Sequence, residues 1–231
     1  MPNILLKYLE DRYKYQIPAS EEKKTAGPII TISRYYGCPA NTCAKDLANL
    51  LSEMEGLPGN TWKVINKEIL EQSAKELGLS PEKIEFVFKF EKRSAVDEIL
   101  ESLSSKYYKS ERKIKNTIRD VIRSIGEQGR VIIVGRGGAP ILKDITNSLH
   151  IKMVASLESR VKDISKKQGI TFNEARKLAK EMDENRSKLR MEFAGRKMEL
   201  VDYDLIFNCE KFNTNEIAKI VAKVSEMKGL I

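Results

Sequence analysis

A chain of 231 residues is long enough for one α/β domain with a full core and a small helical insertion, and too short to favour two independent domains. Its formal net charge is +8, but the 41 basic residues are interspersed with 33 acidic ones, which favours small polyanionic ligands or a modest nucleic-acid patch over a dedicated nucleic-acid binder, with a merely solvated basic surface as the alternative. Three cysteines without C-x-x-C spacing support neither a zinc site nor a disulfide framework, and no apolar run reaches the roughly 18 residues of a membrane span.

The chain opens with MPNILLKYLEDRYKYQ, whose charges interrupt the apolar residues before a signal-peptide core can form, so a cytoplasmic setting is expected. An amphipathic helix candidate, Ile4 to Tyr13, and the charged segment EEKKTAG make residues 1–26 an N-terminal extension. PIITIS (28–33) then reads as a first strand, and a helix is expected from Thr42 to about Met54. Between them lies SRYYGCPANTCAK, a glycine-containing loop in the strand-to-helix position of a phosphate-binding turn, but without the lysine such a turn usually carries.

Four more β-branched runs follow: WKVI (62–65), RVIIVG (130–135), SLHIKMV (148–154) and YDLIFN (203–208). Each is short and followed by helical periodicity, the pattern of a parallel sheet covered by helices on both faces. Pro81–Lys92, Ser94–Tyr108 and Ser110–Gln128 show apolar spacing near 3.6, which predicts a helical insertion over about residues 80–128. Thr171–Phe193 predicts a polar helix dense in Lys, Arg, Glu and Asp. His150, the only histidine, falls inside a predicted strand and reads as a packed residue, not a catalytic base.

These segments carry a family likeness. ITISRYYGCPANTCAKDLANLL resembles the opening of the cytidylate kinase-like family, a branch of the P-loop nucleoside monophosphate kinases. VIIVGRGGAPIL with LHIKMVASLESRV resembles its glycine-arginine strand end and next strand and helix, MDENRSKLRMEF its arginine-bearing lid, and YDLIFNCEKFNTNEIAKIV its closing strand and helix. The resemblance covers roughly residues 28 to 228. It implies a P-loop kinase-like domain over 27–231, with a five-stranded parallel sheet, helices on both faces, a helical insertion, and a lid over about 160–193.

It also implies site residues. Against the pattern G-x-x-x-x-G-K-G-T, Arg34 falls at the first glycine, Pro39 at the second, Ala40 at the lysine, Asn41 at the next glycine and Thr42 at the threonine. The loop Gly37, Cys38, Pro39, Ala40, Asn41 and Thr42 would cradle the phosphates of ATP, with backbone N–H groups at every position but Pro39, and Thr42 would offer its hydroxyl to Mg²⁺ or serve as a helix N-cap. Ala40 places no cation between the donor phosphates, so Arg34 first and Lys45 second are the expected substitutes; Arg34 in a surface ion pair is the alternative.

Arg136, at the carboxyl end of VIIV, would hold the acceptor phosphate, and Asn66 would either touch the acceptor nucleoside or cap the next helix. Cytidylate kinases proper carry an Asp where this chain has Gly137, which leaves cytosine selectivity open. Arg160, Asp183, Arg186 and Arg190 would close over the transferred group, or form a helix face of ion pairs. Arg176 and Arg196 read as surface residues, and Arg93 and Asp97 as unranked acceptor candidates in the insertion.

The function expected is therefore ATP- and Mg²⁺-dependent phosphoryl transfer to a small phosphorylated acceptor, a nucleoside monophosphate above all. The alternative is a non-catalytic nucleotide-binding or regulatory protein with a degenerate phosphate loop. Small-molecule nucleotides are the expected partners, without membrane or dedicated nucleic-acid binding, and the oligomeric state stays open, a homo-oligomer included.

Overall fold

Isoleucine and valine dominate the strand runs because branched side chains fit a pleated surface buried on both sides. The computed structural model, which describes residues 27–56, 61–66, 68–78 and 111–231, assembles them into one five-stranded parallel sheet. The strands are β1 (Ile29–Arg34), β2 (Lys63–Ile65), β3 (Val131–Val134), β4 (Ser148–Val154) and β5 (Leu205–Asn208), in the order β2-β3-β1-β4-β5. Ile32 pairs with Val134 on one side and Ile151 on the other, so the carboxyl ends of the three central strands finish together.

Seven α-helices are present among the described residues: α1 (Ala40–Glu55), α2 (Glu68–Leu77), α3 (Glu111–Gln128), α4 (Gly138–Leu142), α5 (Leu157–Gln168), α6 (Phe172–Ala194) and α7 (Thr214–Met227). One sheet face, with Ile30, Ile32, Ile132, Val134, Leu149, Ile151 and Met153, packs against Cys43, Ala44, Leu47 and Leu51 of α1 and Ile217 and Val221 of α7. The other face, with Ile29, Ile65, Val131 and Ile133, is covered by Ile69 of α2, Ile141 of α4, Leu189 and Phe193 of α6, and the stripe Ile114, Ile118, Val121, Ile122 and Ile125 of α3. Alternation along each strand sends successive side chains to opposite faces, so unbroken apolar runs such as VIIV feed two separate cores, while β4 gives Leu149, Ile151 and Met153 to one face and Ser148, His150 and Lys152 to the other.

Two differences from the sequence reading concern element boundaries, and some expected elements fall outside the described residues. Residues 111–128, read as the last part of an insertion, pack directly on the sheet through that isoleucine stripe. The expected helices at 81–92 and 94–108, with Arg93 and Asp97, and the extension over 1–26 lie outside the described residues. The helix after the glycine loop begins at Ala40, two residues before Thr42, with Pro39 as its N-cap residue. No helix among the described residues is long and apolar enough to cross a membrane.

Candidate functional site

Parallel strands ending at one level leave a crevice outside their carboxyl ends, and two glycine-containing turns start at that level. The first follows β1. Gly37 adopts φ +95°, and a Cβ there would come within 3.2 Å of the Arg160 Cβ and 3.3 Å of the Ile164 Cδ1, so the loop needs glycine for conformation and for space against α5. Ala40 N–H donates to the Cys38 carbonyl at 2.9 Å and Cys43 N–H to the Pro39 carbonyl at 3.0 Å. The N–H groups of Gly37, Asn41 and Thr42 meet no acceptor among the described residues, leaving donors at the positive end of the α1 dipole.

Thr42 is the third residue of α1 and exposed, so it is not the N-cap; Pro39 holds that place without a side-chain hydrogen bond. Lys45 is exposed one turn further on. Ala40 is buried in the apolar cluster between sheet, α1 and α7, so the position aligned with the usual lysine faces the core. Cys38 lies against the thiol of Cys209, which lowers Cys38 below its ordinary 9.0 and raises Cys209.

The second turn follows β3. Gly135, Arg136 and Gly137 take φ of +74°, +56° and +78° in succession. An arginine in that region costs on the order of 1 kcal/mol, tolerated where the surroundings determine the backbone. Gly135 leaves room for the Arg34 guanidinium: a Cβ there would stand 1.7 Å from Arg34 Nη1. Gly137 likewise makes room for the Phe193 ring, 2.5 Å from where its Cβ would be.

Between the end of β1 and the turn after β3, with α6 as a wall, runs a narrow cleft lined by Ser33, Arg34, Arg136, Gly138, Arg186 and Arg190, among others. Arg186, Leu189 and Arg190 reach it because residues three and four apart share a helix face. Among the described residues no carboxylate lies within ion-pair distance of Arg34, Arg186 or Arg190. Burial, followed by the charges of Arg186, Arg136 and Arg190, pushes the Arg34 guanidinium from 12.5 down to about 9. Burial also lowers Arg186, against the opposing pull of Asp183. An arginine holds its proton at neutral pH, so these shifts register first the cost of burial and then the crowding of positive charge, both of which a bound anion would relieve.

Arg160 and Asp183 occupy a different place. Arg160 Nη1 donates to Asp183 Oδ2 at 2.7 Å and to the Tyr36 carbonyl at 2.9 Å, while Asp183 Oδ1 accepts the Tyr36 N–H at 2.6 Å. With Arg160 over the Tyr35 ring at 4.9 Å and Arg186 over the Tyr36 ring at 5.2 Å, the pair fastens α5 and α6 to the glycine loop. Asn66 donates its side-chain N–H to Asn41 Oδ1 at 3.3 Å and is not among the residues lining the cleft, while its backbone N–H donates to Glu68 Oε2 at 2.8 Å. Arg176 and Arg196 pair with Glu158 and Asp202 on the surface.

Lys152 was passed over in the sequence, where it is one lysine among many. In β4 it is nearly enclosed, at 9% exposure, beneath the Tyr35 and Tyr203 rings at 5.4 and 5.1 Å. Its signal was the alternation of polar Ser148, His150 and Lys152 along SLHIKMV, which puts all three on one sheet face.

A model of the cytidylate kinase-like family matches residues 29–211. No curated protein matches the chain. Among solved structures, an uncharacterized protein from Eubacterium ventriosum ATCC 27560 aligns at TM-score 0.59 and 20% identity, covering 87% of this chain and 98% of that one, a likeness of fold. A shikimate kinase from Bacteroides thetaiotaomicron aligns at TM-score 0.48 and 13% identity over 86% of this chain and 98% of its own. A shikimate kinase from Acinetobacter baumannii, in complex with shikimate, aligns at 0.48 and 10% over 90% and 97%.

Proposed function

Since the chain belongs to the cytidylate kinase-like family, we propose that it catalyses phosphoryl transfer from ATP to a small phosphorylated acceptor, a nucleoside monophosphate. The observation that carries this reading is the convergence of Arg34, Arg136, Arg186 and Arg190 on one cleft at the carboxyl ends of β1 and β3. Phosphoryl transfer spreads negative charge over three equatorial oxygens, and its catalysis consists almost wholly of positioning and charge stabilisation. Four guanidiniums around a cleft with no ion-paired carboxylate at Arg34, Arg186 or Arg190 are suited to that task.

In this reading the free N–H groups at Gly37, Asn41 and Thr42 receive the donor phosphates, Arg136 holds the acceptor phosphate, and Arg34, Arg186 and Arg190 take the charge that develops between them. Arg160 and Asp183 act by holding Tyr36 and so the loop. Mg²⁺ neutralises donor phosphates in such chemistry; the exposed Thr42 hydroxyl in the first turn of α1 fits that ion, and no cluster of three acidic, histidine or cysteine ligands exists among the described residues to cage it otherwise.

The burial of Ala40 favours a second reading, a nucleotide-binding protein without turnover, because the position that normally carries the lysine points into the core. Both are tested by offering ATP and Mg²⁺ with each nucleoside monophosphate in a coupled turnover assay and in thermal shift. Turnover with one monophosphate is expected. Arg34→Ala should then lower kcat more than ATP affinity, and Arg136→Ala should chiefly raise KM for the acceptor. A thermal shift without turnover establishes the second reading, and silence in both assays removes both.

A further inference from the structure

A lysine inside a parallel sheet is expensive unless its ammonium has hydrogen-bond acceptors, because three N–H donors and a full charge leave water together. Lys152 has two aromatic faces in place of acceptors. Its Nζ lies 5.4 Å from the centroid of Tyr35 and 5.1 Å from that of Tyr203, and among the described residues no carboxylate or carbonyl accepts from it. The stem is buried while the Nζ keeps a small opening to solvent, and ring quadrupoles recover only part of the hydration that such an ammonium loses.

Its place in the sheet gives the cation a use. Lys152 is the Cα partner of Ser33 on the adjacent strand, and side chains at paired positions of neighbouring strands share a face. That face is fixed two residues earlier by Thr31 Oγ1 and His150 Nδ1, 2.7 Å apart, and Thr31 Cγ2 packs beneath Gly138. Ser33 and Gly138 line the arginine cleft, so Lys152 rises one strand spacing from the cleft floor, on the same side. Arg190, a cleft residue, and Asp183, the carboxylate that holds the loop, are its charged neighbours.

We propose that Lys152 is a ligand-binding cation of the phosphate site, held under Tyr35 and Tyr203 until a phosphate oxyanion enters and accepts its N–H donors. It supplies from β4 the ammonium that the glycine loop, with Ala40 turned into the core, does not carry. The assignment rests on reading the cleft as a phosphate site. Burial lowers the pKa of this lysine, with Arg190 acting in the same direction, so an arriving anion strengthens its hold on the proton.

The test uses the full chain, inorganic pyrophosphate without metal, and the variants Lys152→Met and Lys152→Arg, each checked for native circular dichroism. Calorimetry gives the pyrophosphate affinity and thermal unfolding gives the stability of the free protein. Expected are a loss of affinity of roughly 10-fold or more for Lys152→Met, recovery to within about threefold for Lys152→Arg, and a free-protein Tm for Lys152→Met no lower than that of the unsubstituted chain. A merely structural lysine would lower Tm on truncation and leave affinity alone. Unchanged pyrophosphate affinity in Lys152→Met overturns the assignment while the phosphate site stands, and an unsubstituted chain that does not bind pyrophosphate overturns both.

Discussion

Arg34 is held by what its neighbours lack. Its guanidinium occupies the space where Gly135 has no side chain, and φ of +74° at that glycine is a conformation that an L-residue adopts only under strain. Gly135→Ala brings a methyl group to 1.7 Å from Nη1 and must displace the arginine. The expected outcome is loss of about 1–2 kcal/mol of stability from the left-handed backbone, measured by denaturant unfolding, together with at least a tenfold drop in pyrophosphate affinity. A variant that keeps full affinity would show that Arg34 does not serve the anion. The glycine and the arginine are 101 positions apart in chain order (135 − 34), and no local pattern in the sequence links them. Arg160 and Asp183 stand out in the sequence as separate family-matched residues of the lid, but their pairing and their service to the Tyr36 backbone do not, because hydrogen bonds to main chain leave no mark on composition.

The helices carry their boundaries in sequence where side chains do the capping. Thr171 with Glu174 and Asn213 with Glu216 form capping boxes that open α6 and α7. The start of α1 was misread because Pro39, without a capping side chain, takes the N-cap position ahead of the more suggestive Thr42. Between α6 and β5 the chain turns through a short 3-10 element, Leu200–Asp202, and Arg196 grips Asp202 with both guanidinium nitrogens. Arg196 first, then the Glu199 N–H, draws the Asp202 carboxyl from 3.8 down to about 2. A carboxyl depressed on folding contributes stability above its unfolded value, and that contribution disappears as pH falls through the folded value. The stability difference between the unsubstituted chain and Asp202→Asn should therefore be largest at about pH 5 and vanish towards about pH 2, as denaturant titrations at each pH will measure. A difference independent of pH would mean that the pair does not hold this turn.

At the scale of the whole molecule, a net charge of +8 and an arginine cleft should draw polyanions from a distance. Raising ionic strength from about 0.1 M to about 1 M shortens the screening length from roughly 10 Å to roughly 3 Å, so the association rate of pyrophosphate should fall about tenfold or more, with a smaller change in dissociation because Arg34 is shielded from salt. Stopped-flow measurements across that range check it, and a salt-independent rate would remove steering by the cleft. The sheet, its parallel sense and most strand limits were already determined by the sequence, because unbroken branched apolar runs separated by helical periodicity are stable only as strands covered on both faces. Gly37, Arg34 and Arg136 could be singled out for the same reason: they stand where β1 and β3 must end. Tertiary structure alone decided that Ala40 faces the core, that α3 belongs to the sheet, that Asn66 reaches Asn41 and not the cleft, and that Lys152 lies beside it. Each of those depends on which strands become neighbours and which face a helix presents, and long-range pairing is settled by packing energies summed over the whole core, not by any stretch of chain.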